Sequence, residues 1–508
     1  MMHHEATVHA SPRTAARQIS DRSPSPSART TLPAPADDAR ILAEGANCWR
    51  ISHAARAAVL VDGCAYFARL DEAVRKARRS ILIVGWDFDG RIVLRPDLPE
   101  AEQMALGPLL RQRVEAEPDL EVRVLIWSTA VVHAPSGTAE LLIGDTWQEH
   151  PRIQVRLDTT HPLYGAHHQK IVCIDGAIAF VGGMDLTVDR WDTPDHRAQD
   201  ARRKLPDGSP YGPVHDLQMM LEGEVAGDVC TLATKRWHHA TGEDVPLPAC
   251  GGTLWPEALA PHFTDTPVAI SRAMPRWGER AAVAESPRLT ADALRAARDT
   301  IFIEAQYLTA AFIADILHRH LQADEGPEIV CVVSFAAHSV TERLLMGENR
   351  DRLIRRLWQA DRHDRFRVYH PVGPGTPDGC PILIHSKLII VDDRFLRLGS
   401  SNLNNRSIGL DTELDLSIEA RAPEDRAAIL AVRDQLLGEH LGTSAETIAR
   451  TTRETGSLVK AVEQLNGGDR RLKPFDTVSR KGPTQPMFAT ALLDPAHPFE
   501  PDWMLRRK

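Results

Sequence analysis

Two short stretches of this chain carry side chains suited to chemistry on an anion. His385-Ser386-Lys387 opens the run IHSKLIIVDDRFLRLGSSNLNNRSIGLDTE over residues 384–413. His168-Gln169-Lys170 opens a matching run 217 residues upstream. Alternate residues of a strand project to one face, so in each stretch the imidazole and the ammonium point together. Both fit H-x-K-x(4)-D, ending at Asp175 and Asp392. Downstream come Gly182-Gly183-Met184-Asp185 and Gly399-Ser400-Ser401-Asn402, small residues closed by a carboxylate or an amide. Such groups suit an oxygen-rich anion such as a phosphate.

Those side chains need strands to hold them. The apolar runs after Lys170 and Lys387 read as buried strands, and Asp175-Gly176 and Asp392-Asp393 are turn chemistry that folds each back as a hairpin. The repeat extends further. Residues 73–83 parallel 293–303 as a helix end running into a strand, and 121–127 parallel 328–334 as a second strand. After each hairpin comes a strand that begins with a carboxylate, Asp216 or Glu413. The expected fold class is α/β: two similar α-β-α sandwich halves, an internal duplication packed about a pseudo-two-fold axis with one site between them.

Composition sets bounds. The chain has 508 residues, 43% of them hydrophobic and 25% charged, as in a globular protein with ample core. A net charge of −9 disfavours nucleic acid as a partner, although Lys170, Lys387 and Arg406 could make a local basic site. The seven cysteines form no C-x-x-C pair and read as reduced thiols. No run reaches the ~18–20 apolar residues of a membrane span, and no apolar stretch near the N-terminus suggests a Sec signal. The expected location is cytoplasmic or peripheral to a membrane, with export without a Sec signal left open.

Along the chain, residues 1–40 read as a disordered tail, 41–255 as the first half, 265–440 as the second, and 441–508 as a C-terminal helix and Pro-rich tail. Residues 250–275 resemble a linker that Trp255 and Phe263 could dock, and 193–213 an exposed loop. A helix over 424–437 is expected to stop at Gly438. Phe475, Phe488, Leu492 and Trp503 are candidates to pin the C-terminal tail. Trp86 ends a strand, where it walls a pocket or simply packs against a helix. His161, His167 and His215 lie near the motifs without metal-ligand spacing and read as structural, so no metal and no cofactor is expected.

The paired motifs, with Gly182-Gly183-Met184-Asp185-Leu186, Arg190-Trp191-Asp192, His215-Asp216, Ile303-Glu304-Ala305-Gln306-Tyr307 and Asn404-Asn405-Arg406-Ser407, resemble the HKD phosphodiesterases of the phospholipase D superfamily over about residues 41–436. The likeness is to the compact, bacterial-type arrangement. It implies a phospholipase D that cleaves the distal phosphodiester bond of glycerophospholipids at a membrane surface through a phosphohistidine. Transphosphatidylation onto an alcohol is part of that expectation, and the enzyme is expected to work as a monomer. By resemblance His168 is the nucleophile and His385 the general acid/base, with the reverse assignment open. Lys170 and Lys387 clamp phosphate oxygens. Asp216 and Glu413 orient the imidazoles as the third member of a triad does. Asn402, Asp185 and Ser400 are expected at the phosphate, and Arg406 and Ser407 behind it. Asp175 and Asp392 lie ~15 Å or more along the strand from the lysines and read as structural. A cardiolipin-synthase-type transferase, a nuclease and an inactive binding module are the alternatives.

Overall fold

The computed structural model describes residues 40–128, 146–162, 164–247, 252–335, 346–476, 478–487 and 494–497. The expectations for residues 1–39, Cys250, Phe488, Leu492 and Trp503 lie outside the described residues.

Alternation in the central strands dictates the layering. In Ser80–Gly85, Ile81 and Ile83 pack into one apolar cluster with Leu70, Val74 and Leu110 of the helices Asp62–Lys76 and Leu106–Ala116. Leu82 and Val84 point the other way, into a cluster containing Val229 and Trp237 of the helix Glu224–Thr241. The same split recurs at Thr300–Ala305: Ile301 and Ile303 join one cluster and Phe302 the other. Strands buried on both faces between helices make an α-β-α sandwich.

The strand order is duplicated. From its outer edge the first half runs Ile153–Asp158, Glu121–Trp127, Ser80–Gly85, Ile171–Ile174, Ile178–Gly182, Leu217–Gly223 and Arg50–Val61. The second half repeats that order with Phe366–Gly373, Glu328–Val333, Thr300–Ala305, Lys387–Val391, Phe395–Gly399, Glu413–Glu419 and Phe263–Met274. In both, the first three strands of that order run parallel and the rest antiparallel, and in the second half Arg471–Pro474 adds an antiparallel strand outside Phe366–Gly373. The halves meet where Arg50–Val61 pairs antiparallel with Phe263–Met274, and no pairing among the described residues joins the two outer edges. One apolar cluster therefore runs beneath both halves, from Leu82 to Leu398.

Three expectations need correction. The stretch 250–275 is not only a linker: residues 263–274 form a twelve-residue strand at the junction of the two halves. The helix Pro423–Leu441 runs through Gly438 and ends at Gly442, whose φ of 64° supplies the left-handed terminus. A Cβ at Gly438 would sit 2.8 Å from the Thr443 carbonyl oxygen, so that glycine answers to close packing and not to a helix stop. The loop 193–213 is anchored, because His196 and Arg203 within it are fully buried. Phe475, one of the residues expected to pin the tail, is buried beneath the Arg350 guanidinium. The six described cysteines are free thiols.

Candidate active site

Both hairpins form where alternation and turn chemistry put them. Ile171–Ile174 returns as Ile178–Gly182, and Lys387–Val391 as Phe395–Gly399. Asp175 and Asp392 sit at the turns with φ of 52° and 54°, a region aspartate tolerates better than most residues. Asp175 accepts from the backbone N–H groups of Arg78, Arg79 and Ser80, each at 2.8 Å. Asp392 accepts from those of Arg298, Asp299 and Thr300 at 3.1, 2.9 and 2.8 Å. Each motif aspartate thus ties its turn to the start of the neighbouring strand.

At the other end of the hairpins the two halves cross. His168 Nδ1 lies 3.0 Å from Glu413 Oε2, and His385 Nδ1 lies 2.6 Å from Asp216 Oδ2. Each imidazole therefore takes its carboxylate from the opposite half. The backbone follows the same exchange: His168 N donates to the Thr412 carbonyl at 2.9 Å, and His385 N to the His215 carbonyl at 2.8 Å. Leu383–Ile384 also pairs with Val214–His215 in a short parallel ladder. Both Nδ1 atoms are thus held by carboxylates.

The lysines lie against the same groups. Lys170 Nζ donates to the His168 carbonyl at 3.0 Å and pairs with Asp185 Oδ2 at 3.0 Å. Asp185 also accepts from Trp86 N at 2.8 Å, so the residue expected at the phosphate holds a lysine and a strand end. Lys387 Nζ lies 3.1 Å from His385 Nδ1 and also donates to the His385 carbonyl. Trp86 stacks on Trp127 with centroids 5.7 Å apart and has Lys170 Nζ 6.0 Å from its ring, which makes it an aromatic wall beside the first lysine.

Ser400 departs from expectation. It is fully buried and donates to Glu413 Oε2 at 2.5 Å, while Ser407 donates to Oε1 at 2.7 Å. Both hydroxyls hold the carboxylate that holds His168. Arg406 is engaged with Asp411 at 2.8 and 3.0 Å. The Asn402 side-chain oxygen is buried with no hydrogen-bond partner among the described residues.

Burial dominates the electrostatics. It pushes the Glu413 carboxyl up to about 8, against the two serine donors. It also holds the His168 imidazole well below its ordinary range, and Lys170 and Lys387 press it the same way. Burial lowers the Lys387 ammonium and raises the Asp216 carboxyl. That Lys387, from the second half, acts on His168, from the first, means the two motifs share one electrostatic environment. The His168 side chain is 15% exposed against 8% for His385, so it is the more accessible of the two rings.

His161 lies 5.9 Å from Trp127 in the aromatic wall, and His167 is buried against Gln169. His215 belongs to a buried network that sequence reading missed: Asp62, His196, Glu304, Glu439 and His440 surround it. Their scattered numbering gives no spacing signal.

The family model described as "Phospholipase D" matches residues 73–320, and "Cardiolipin synthase, PLD-like domain" matches 291–430. Phospholipase D A of Dictyostelium discoideum is 24% identical over 424 residues, covering 71% of this chain and 32% of that one. Phospholipase D beta 1 of Arabidopsis thaliana is 23% identical over 556 residues, with 80% and 50% covered. For phospholipase D alpha 1 of Carica papaya the figures are 25% over 535 residues, 78% and 66%. The chain thus spans roughly a third to two thirds of these relatives. A crystal structure of phosphatidylserine synthase from Haemophilus influenzae Rd KW20 aligns with a TM-score of 0.49 at 13% identity, covering 76% of this chain and 88% of that one. Two family models that together run from residue 73 to 430, over a duplicated fold whose paired H-x-K motifs exchange carboxylates, establish that this chain belongs to the phospholipase D superfamily.

Proposed function

We propose that this protein is a phospholipase D that hydrolyses the distal phosphodiester bond of glycerophospholipids to phosphatidic acid and a free head group. The observation that carries the reading is the exchange of carboxylates between the imidazoles of the two halves, with a lysine against each motif histidine.

The chemistry follows from the protonation each ring is given. Ionised Glu413 accepts the Nδ1 proton of His168, so the Nε2 lone pair is free to attack phosphorus. His385, its cation stabilised by Asp216, gives its Nε2 proton to the leaving head-group oxygen as the P–O bond breaks. The phosphatidyl group is then carried on His168 Nε2. His385, now neutral, takes a proton from water, the hydroxide attacks phosphorus, and the P–N bond breaks to return His168. A primary alcohol in place of that water gives transphosphatidylation. Lys170 and Lys387 supply positive charge to the non-bridging oxygens, and the Asn402 amide N–H donates a hydrogen bond to them. Burial and the two lysines disfavour a proton on His168, which supports it as the nucleophile.

On this reading the phospholipid substrate is met at a membrane surface; separately, no helix among the described residues is long and apolar enough to cross a membrane. One chain supplies both motifs, so a monomer suffices. A cardiolipin-synthase-type phosphatidyltransferase is the second reading, favoured by the family model matched over residues 291–430. Head-group release from phosphatidylcholine vesicles, run beside single-stranded DNA digestion, tests the assignment. Choline release without DNA cleavage is expected. DNA cleavage without choline release would overturn it, and cardiolipin formed from phosphatidylglycerol in preference to hydrolysis would favour the second reading.

A further inference from the structure

A second constellation lies behind His385, and the phosphodiester chemistry makes no use of it. Asp62, His196, His215 and Glu439 bring four donor atoms within 4.8 Å of one another. The first three side chains are wholly buried and Glu439 is 6% exposed. His215 Nδ1 lies 2.9 Å from Asp62 Oδ1 and 3.0 Å from Glu439 Oε1. His196 Nε2 lies 3.0 Å from the same Glu439 oxygen and 3.4 Å from Asp62 Oδ2.

The outer nitrogen of each imidazole is already occupied. His196 Nδ1 is 2.9 Å from Asp192 Oδ2, and His215 Nε2 is 3.0 Å from Glu304 Oε2. A carboxylate on the far ring nitrogen is the arrangement that orients a metal-bound histidine: it draws the N–H outward and turns the inner lone pair toward the ion. Despite the short distances, His215 Nδ1 and both Asp62 oxygens make no aligned hydrogen bond. The inner nitrogen of His215 is thus aimed at neither neighbouring oxygen, whereas that of His196 is hydrogen-bonded to Glu439 Oε1 at 3.0 Å. By contrast, Glu304 is satisfied, accepting from Ser386 at 2.9 Å and lying 2.8 Å from His440 Nε2. It serves as an outer partner and not as a ligand.

We propose that Asp62, His196, His215 and Glu439 bind one divalent transition-metal ion in a closed structural site. Two imidazoles and two carboxylates form a borderline nitrogen–oxygen set that suits zinc, and four protein ligands without an open position mark a structural site. Three ligands come from the first half and Glu439 from the helix Pro423–Leu441. The ion joins the halves through His215, which is next to Asp216 in sequence and pairs with Ile384, the neighbour of His385. This site stands independently of the phospholipase reading.

The test is the metal content of the full-length chain, expressed with zinc in the medium and purified without chelator. About one zinc per chain is expected in the wild type and in His168→Gln. At least a tenfold loss is expected in His196→Gln and in Glu439→Gln. Growth with cobalt in place of zinc provides a second readout if those variants do not fold. The wild-type protein should then show the visible absorption bands of four-coordinate cobalt. A metal-free wild type lacking those bands, or metal retained in both ligand variants, would overturn the site and leave a network of imidazolium–carboxylate pairs. Metal lost on His168→Gln also contradicts it, since the ion would then sit at the other centre. Metal present in a protein without phosphodiesterase activity supports the site and removes only the functional reading.

Discussion

Glu413 Oε2 sits 3.0 Å from His168 Nδ1 across 245 residues of chain, and Asp216 returns the relationship to His385 across 169. Neither motif histidine takes its carboxylate from its own half. The site exists only when the two halves are joined through Arg50–Val61 and Phe263–Met274.

This exchange predicts the pH dependence. The pair of Glu413 and His168 becomes a nucleophile when it has lost one proton, leaving Glu413 ionised and the remaining proton on Nδ1. Burial holds that loss up to about 8, so the ascending limb of kcat/KM for the free enzyme should centre near there and not in the ordinary histidine range. In Glu413→Gln the remaining titration is that of His168, which burial and both lysines keep low. The limb should move to lower pH while the plateau falls by roughly 10²–10⁴-fold. An unchanged limb in the variant would remove Glu413 from the pair.

The same carboxyl makes a prediction about stability. Its pKa is higher folded than unfolded, so its contribution to stability is complete below the ordinary value of 4.5 and is lost as pH rises through about 8. Glu413→Gln should therefore lose less stability than the wild type between those limits. At pH 9 it should be the more stable protein, by on the order of 1–3 kcal/mol in denaturant unfolding. Parallel stability–pH curves for the two proteins would contradict the burial cost.

Gly183 tests the other pair. A Cβ there would overlap Asp216 Oδ1, the carboxylate group that orients His385. Gly183→Ala should cost roughly 10²-fold in kcat, since a shift of about 1 Å at a positioned group is enough. KM should change far less, because the displaced group does not bind substrate. Kinetics on vesicles decide this, and an alanine variant of full activity would mean that the carboxylate can move freely.

Much of this was readable in the sequence, for identifiable reasons. The hairpins declared themselves because period-two burial and turn chemistry are local, as with Ile81 and Ile83 against Leu82 and Val84. The exchange of carboxylates was not readable, because it depends on which strands meet at the junction, and residues 263–274 looked like part of a linker. Gly438 misled because a glycine after a periodic run suits a stop, whereas packing against Thr443 demanded it within the helix. The place of Ser400 just after the hairpin suggests a phosphate ligand, whereas its hydroxyl donates to Glu413. Asp62, His196, His215 and Glu439 come from separate elements, so no spacing rule could have joined them.

Asp175 and Asp392 separate structure from chemistry. Each accepts three backbone N–H groups at a turn. Alanine at either position should cost about 1–3 kcal/mol in denaturant unfolding by leaving those donors unmatched. Turnover per folded molecule should stay within about threefold of wild type. A large loss of turnover at full stability would return these aspartates to the chemistry.

The central claim is that His168 becomes covalently bonded to phosphorus while His385 handles the protons. Acid-free denaturing quench of the enzyme during turnover of a short-chain phospholipid, followed by peptide mass spectrometry, tests it most directly. The account predicts a phosphatidyl adduct on His168, absent from His168→Ala. An adduct on His385, or steady turnover by the His168→Ala protein, would contradict it.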